Sequence, residues 1–260
     1  PYDLTNSMSI GYLVAQATSH LERDKSKEWV NPYGKFMEIN EVIYRHFRNL
    51  AEKVNFGTSF LLWHIIQTIK HITRVYLSIL QEPEPDNYVY IQELVGQILR
   101  YEAFFRVVFS KATNINKHHA EEACDVLAWI AISFYDAGYL DVDMDFAKTS
   151  TGNITSIMNS YSKTCQDPNP YDVADFLISL WLIRLFAEAK KNTTLIKFID
   201  EKMAKPKMFS DNKWQEVLEA LEVRKEQLNK RLTESDRFYL EENATSLLRK
   251  ILRKSATENV

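Results

Sequence analysis

The stretch "FLISLWLIRLF", residues 176–186, decides the fold. Its apolar residues cover nearly every direction around a helical axis, and no alternation of period two runs through it. A helix of that composition is surrounded by other helices rather than laid on a surface. A second run of the same kind, "VLAWIAISFY", occupies 126–135. Two such segments predict a central helical pair wrapped by amphipathic neighbours, in the manner of stacked antiparallel hairpins.

The rest of the chain agrees with this centre. Apolar residues recur at three- and four-residue steps almost throughout, and alternation never persists. Only six glycines occur in 260 residues, and none forms an Asn-Gly or Asp-Gly hairpin turn. The expectation is an all-α, multi-helix globular bundle of nine or ten helices with no β-sheet.

Caps and breakers set the helix limits. Helices are expected over about 7–24, 32–55, 58–81 and 86–112, and a fifth begins at "NIN" (114–116) and stops near Gly138. The polar passage "DVDMDFAKTSTG" (141–152) reads as a loop, followed by a helix from about Asn153 to Lys163. Asn169-Pro170 starts a helix to about Lys191, and others follow at roughly 194–204, 211–232 and 235–254.

The chain reads as a single all-α domain over 1–260. Two "NPY" triplets, Asn31–Tyr33 and Asn169–Tyr171, each open a long helix that ends in "AEK" or "AEAKK". They raise the question of two similar halves, about 1–140 and 141–210. Independent use of one helix-start signal explains the triplets more simply. A C-terminal hairpin, 211–254, completes the chain. In its first arm Trp214, Leu218, Leu221, Leu228 and Leu232 keep a heptad rhythm broken by Lys225, a narrow stripe suited to the main body or to a partner.

Composition bounds the function. Hydrophobic residues at 45% and charged residues at 26% are ordinary for a globular protein. A formal net charge of −3 supplies no general attraction for nucleic acid. Residues 213–254 carry ten basic and eight acidic groups, so no nucleic-acid grip is expected there either. No uncharged apolar run is long enough to span a membrane, since Ser59–Leu80 is interrupted by His64, Lys70, His71 and Arg74. The start at Pro1 shows no signal-peptide pattern and reads as a processed or truncated end, so a further segment could carry an anchor. Cys124 and Cys165 lack metal or redox spacing and read as free thiols of a reducing, cytoplasmic compartment.

Candidate sites are few. In "HHAEEACD" (118–125), His118, Glu122 and Asp125 share a helical face and are chemically able to ligate a metal. Carboxylates are equally at home in the opening turns of a helix, so no metal is expected. His64, Gln67, His71, Arg74 and Ser78 form a polar stripe, which lines a ligand cavity if it faces inward and is solvated otherwise. Arg184 is the most isolated charge on an apolar helix, and it either pairs with a carboxylate from a neighbouring helix or extends its head to the surface. "DVDMD" resembles the opening of a calcium loop, but Phe146 and Gly152 stand where that loop needs glycine and glutamate. Arg249, Lys250, Arg253 and Lys254 suit the end of a helix dipole, with weak contact to anionic lipid as the alternative.

No nucleophile elbow, phosphate loop or dinucleotide turn occurs, so no cofactor is expected. The leading expectation is a non-enzymatic interaction or scaffold domain that binds a protein partner or itself, in the cytosol or as the cytosolic part of a membrane-attached protein. Trp214, Leu218, Leu221 and Leu228 are its candidate interface residues. The rival is a helical ligand-binding protein, metal-binding protein or enzyme. Its polar groups would converge from His64–Arg74, His118–Asp125 and Arg184.

Overall fold

A computed structural model describes residues 116–137, 143–165 and 167–234, together with Glu41, Tyr44, Arg45 and Arg100. The chain divides into two compact units, Pro1–Ala112 and Thr113–Val260. In the first, Glu41 accepts from Arg45 at 3.1 Å and from Arg100 at 2.9 Å, and Arg100 also lies 5.7 Å from the centre of the Tyr44 ring. The stripe at His64–Arg74, the first "NPY" triplet and the basic residues Arg249–Lys254 lie outside the described residues.

The second unit supplies five helices, and no strand occurs among the described residues. They are α1 (Lys117–Ala137), α2 (Asp143–Thr164), α3 (Pro170–Ala189), α4 (Thr193–Met203) and α5 (Asp211–Glu234). The described part is therefore all helical. Short connections fold α1, α2 and α3 back and forth, with α1 and α3 each packed on α2 and also on one another. Lys117 of α1 meets Asp172 of α3, and Asp125 further along α1 meets Ser179 further along α3. Those two contacts make α1 and α3 run parallel. Helix α4 packs on α2 and α3, and α5 packs on α3.

The two apolar runs are the centre of this unit. Val126 to Ile132 of α1 are all buried, and α3 buries Val173, Ala174, Phe176, Leu177, Leu180, Leu182, Ile183, Phe186 and Ala187. Helix α3 touches each of the other four helices, and this is why its apolar residues extend around the axis. Phe176 meets the Tyr161 ring of α2 edge-on, with centroids 5.2 Å apart. An aromatic pair in that arrangement contributes about 0.5–1.5 kcal/mol beyond the area it buries.

One expected loop is a helix. Residues 143–152 form the opening turns of α2, which runs unbroken from Asp143 to Thr164. The hydroxyls of Thr151, Thr155 and Ser156 donate to the carbonyls of Ala147, Thr151 and Gly152 at 2.7, 2.8 and 2.9 Å. These bonds satisfy polar side chains against the helix's own backbone, so a polar sequence stays helical. Ala147, Ser150, Thr151 and Ile154 are buried, and their small or compact side chains suit close packing against α1. Continuous helical backbone also rules out a calcium loop at "DVDMD", whose ligands require a sharp turn.

The ends of α3 are built from two different devices. Asn169 caps its start, accepting from the Tyr171 amide at 3.0 Å, with Pro170 in the first turn. Its end has no glycine, yet Lys191 takes the left-handed conformation at φ 56°. The Asn192 amide then donates to the Ala187 carbonyl and the Lys191 amide to the Glu188 carbonyl, both at 2.9 Å. This is a Schellman closure with lysine at the position glycine usually takes. Asn192 goes on to cap α4, accepting from the Leu195 amide at 2.9 Å.

Candidate functional site

The described polar residues concentrate where the first turns of α1 and α3 meet α5. Asn116 fixes the start of α1 by accepting from the His118 amide at 2.9 Å. That places Lys117 and Glu121 one turn apart on the face toward α3, where Asp172 and Asp175 occupy its first two turns. Lys117 Nζ lies 2.6 Å from Asp172, 3.1 Å from Glu121 and 3.5 Å from Asp175. The Tyr161 hydroxyl of α2 donates to the other Asp172 oxygen at 2.7 Å.

From α5, Arg224 closes the junction. Its Nη2 donates to Asp175 Oδ2 at 3.2 Å, and its Nε lies 2.6 Å from Oδ1. The Nε contact is one of charge, without the alignment of a hydrogen bond. The guanidinium also lies 5.6 Å from the centre of the Tyr171 ring, within cation–π range. Next to it on α5, Lys225 stands 5.7 Å from the Trp181 ring centre. Four helices thus meet at one charged junction.

Burial and neighbouring charge set its protonation. Burial works against the charge of Lys117, but the contacts with Asp172 and Glu121 outweigh it and hold the ammonium above the ordinary lysine range. Burial raises Glu121 above the usual carboxylate range; Lys117 opposes the rise and Asp175 adds to it. Burial, followed by the hydrogen bond to Asp172, pushes the Tyr161 phenol up. The Cys124 thiol is fully buried and held well above its ordinary range by that burial and by Asp125 and Glu121. It is therefore no nucleophile in the folded unit.

The "HHAEEACD" residues separate into different roles. His118 is exposed, with its ring 6.0 Å from that of His119. His119 Nδ1 is shut away from solvent without a hydrogen-bond partner, whereas a ligating histidine normally has its second nitrogen bonded. Glu122 is half-buried, and Asp125 accepts from the buried Ser179 hydroxyl at 3.3 Å. Among the described residues no three His, Cys, Asp or Glu side chains are grouped as a metal site would need.

Arg184 turns the other way. Its Nε donates to Asp200 of α4 at 2.6 Å, and its Nη1 pairs with Glu188 on its own helix. The isolated charge has found its carboxylate on a neighbouring helix. Arg184 is five residues beyond Ser179, about 7.5 Å along α3 and roughly 140° around it. It therefore faces away from the His118–Asp125 region.

Of the C-terminal stripe, Trp214, Leu221 and Leu228 are buried with Val217 and Ala220, on the helix that packs against α3. Leu218 is exposed, as are Val223, Met208 and Tyr171. Among the described residues no helix is long and apolar enough to cross a membrane. The ion junction went unread because its lysine, arginine and carboxylates are ordinary helix-surface residues in sequence. The three-residue spacing of Asp172 and Asp175 was the available signal, since it puts both on one face.

No family model matches the chain, and no curated protein or solved structure matches it.

Proposed function

We propose that the chain is a non-enzymatic helical interaction domain that engages a protein partner or a second copy of itself on the cytosolic side of the cell. The observation that carries this reading is Tyr171, an aromatic side chain 49% exposed in the first turn of α3 with Arg224 stacked on its ring. Tyrosine and arginine are the residue types that most often anchor protein interfaces. A ring held in place by its neighbour also loses less side-chain freedom on binding. Leu218 and Val223 add exposed apolar surface on α5. The charged groups nearby are engaged in ties between helices, which suits a scaffold better than a reaction centre.

The test is sedimentation of the full chain over a concentration series, alongside cross-linking in native extract, with Tyr171→Ala and Val223→Asp as comparisons. Association or a cross-linked partner that is lost in either variant supports the reading. A strictly monomeric chain whose cross-links are unchanged by both variants overturns it. So does a thermal-unfolding midpoint raised by a metal ion and restored to baseline in His118→Ala or Glu122→Ala, because that response belongs to a metal-binding protein.

A further inference from the structure

Helix α3 leaves one strip of its apolar surface half-open. Ile178, Trp181 and Leu185, spaced by three and four residues, share a face and are only half-buried. The other apolar residues of α3 from Val173 to Ala187 are all closed to solvent. Contacts of Lys213 with Asp167, Arg224 with Asp175 and Lys225 with Trp181 make α5 run alongside α3 in the same direction. Lys225 marks the side of α5 that borders the strip. Leu218, two turns earlier and about 20° around the axis, is the exposed apolar residue on that side.

The chain itself carries a segment of matching pattern and charge. Helix α5 ends at Glu234, and residues 235–260, outside the described residues, belong to the same compact unit. In sequence Leu240, Ala244, Leu247 and Ile251 follow steps of four, three and four, a narrow apolar stripe of the kind that packs one helix on another. The charges run in opposite order along the two segments. On α5 the exposed carboxylates Glu216, Glu219, Glu222 and Glu226 come first, and Lys230 and Arg231 come last. Of the remaining cations of α5, Lys213 and Arg224 are spent on Asp167 and Asp175, and Lys225 on Glu222. Beyond the end of α5, Glu241 and Glu242 come first, and Arg249, Lys250, Arg253 and Lys254 come last.

An antiparallel return therefore sets opposite charges side by side at both ends, and complementary charge of this sort fixes register. Antiparallel helices are joined by loops of about 2–5 residues. Such a loop brings Glu241 and Glu242 level with about 229–233, and 249–254 level with about 217–225. Leu247 and Ile251 then come close to the level of Lys225, the residue that reaches Trp181. We propose that residues 239–254 fold back antiparallel to α5 and seat their apolar stripe on Ile178, Trp181, Leu185 and Leu218, making the chain's own C-terminal segment the resident occupant of this strip. The inference stands without the interaction reading, whose test residues Tyr171 and Val223 are not part of the seat.

The experiment uses the full chain with spin labels at Val223→Cys and Lys250→Cys in a Cys165→Ser background; Cys124 is buried and stays unlabelled. Axes of packed helices lie about 8–10 Å apart, so the return should place the labels within about 25 Å of each other. A helix continuing straight past Glu234 would separate them by on the order of 40 Å. The short distance should persist when labelled chain is diluted into unlabelled chain. Its loss on dilution assigns the seat to the segment of a second copy and overturns the proposal, as does a long or broad distance without dilution. Leu247→Asp with Ile251→Asp should release the segment. The distance then lengthens, and hydroxyl-radical oxidation of Trp181, read by peptide mass spectrometry, rises several-fold while that of Tyr171 stays the same. A released segment that leaves Trp181 oxidation unchanged overturns the proposal. Arg249→Glu with Arg253→Glu should also lengthen the distance, and adding Glu219→Lys with Glu222→Lys should shorten it again. Absence of that rescue, in a chain that keeps its helical circular dichroism, overturns it too.

Discussion

Replacing Arg224 with alanine tests whether the charged junction, and not the apolar stripe alone, fastens α5 to α3. The side chain makes one aligned hydrogen bond and one close charge contact to Asp175, and lies over the Tyr171 ring. A hydrogen bond to a charged group contributes about 1.5–3 kcal/mol when well buried. Arg224 is about a third exposed and its Nε contact is poorly aligned, so solvent screening reduces this to about 1–2 kcal/mol. The cation–π contact to a half-exposed ring adds roughly 0.5 kcal/mol. Arg224→Ala should therefore destabilise the second unit by about 2 kcal/mol, or roughly 4–8 °C in Tm for a unit of this size. Asp175→Asn should cost less, because losing the partner of Arg224 is offset by relief of the repulsion on Glu121. Urea denaturation followed by circular dichroism, with hydrogen exchange assigning the transition to the second unit, measures each variant and the double mutant. The Arg224–Asp175 coupling should be about 1 kcal/mol and weaken as salt is added. A coupling below about 0.3 kcal/mol, within ordinary additivity, would refute the reasoning and leave α5 held by Trp214, Val217, Leu221 and Leu228 alone.

Two glycine exchanges should act in opposite senses. No atom lies within 4 Å of where a Cβ on Gly152 would stand, so Gly152→Ala inside α2 should raise stability by about 0.5–1 kcal/mol. Lys191→Gly should raise it by about 1 kcal/mol by relieving the left-handed backbone at the end of α3; a loss on thermal melting in either case contradicts the local geometry. In the native protein Cys165, half-buried, should react with iodoacetamide while Cys124 stays unmodified until denaturant is added, as read by peptide mass spectrometry. Glu121→Gln should stabilise the second unit near neutral pH and lose that advantage in acid. The folded state binds the Glu121 proton more tightly than the unfolded chain, so wild-type stability falls as pH rises from the ordinary glutamate range through the raised value.

Much of the described architecture is legible residue by residue. Asn169-Pro170 and Asn192 mark helix starts because a side-chain oxygen there replaces a missing backbone acceptor. The stop of α1 before Gly138 and the burial of 126–132 follow from local composition. The passage at 141–152 misled because threonine and serine favour loops when their hydroxyls compete for the backbone, yet here those hydroxyls bond back along the helix.

By itself the sequence determined, apart from 143–152, which segments of the described chain are helical, where most of them begin, and that 126–132 and much of 176–186 are interior, since these depend on neighbours within a few residues. It also required that Arg184 be paired or reach water, because a guanidinium cannot stay unpaired in an apolar interior. Only the tertiary structure chose Asp200 of α4 for that role and brought Lys117, Glu121, Asp175 and Arg224 to one point. Those choices rest on the parallel register of α1 and α3 and on which face of α5 meets α3, contacts between residues some fifty or more positions apart. A charge written in sequence carries its sign but not its distance to another charge, and Coulomb energy depends on both.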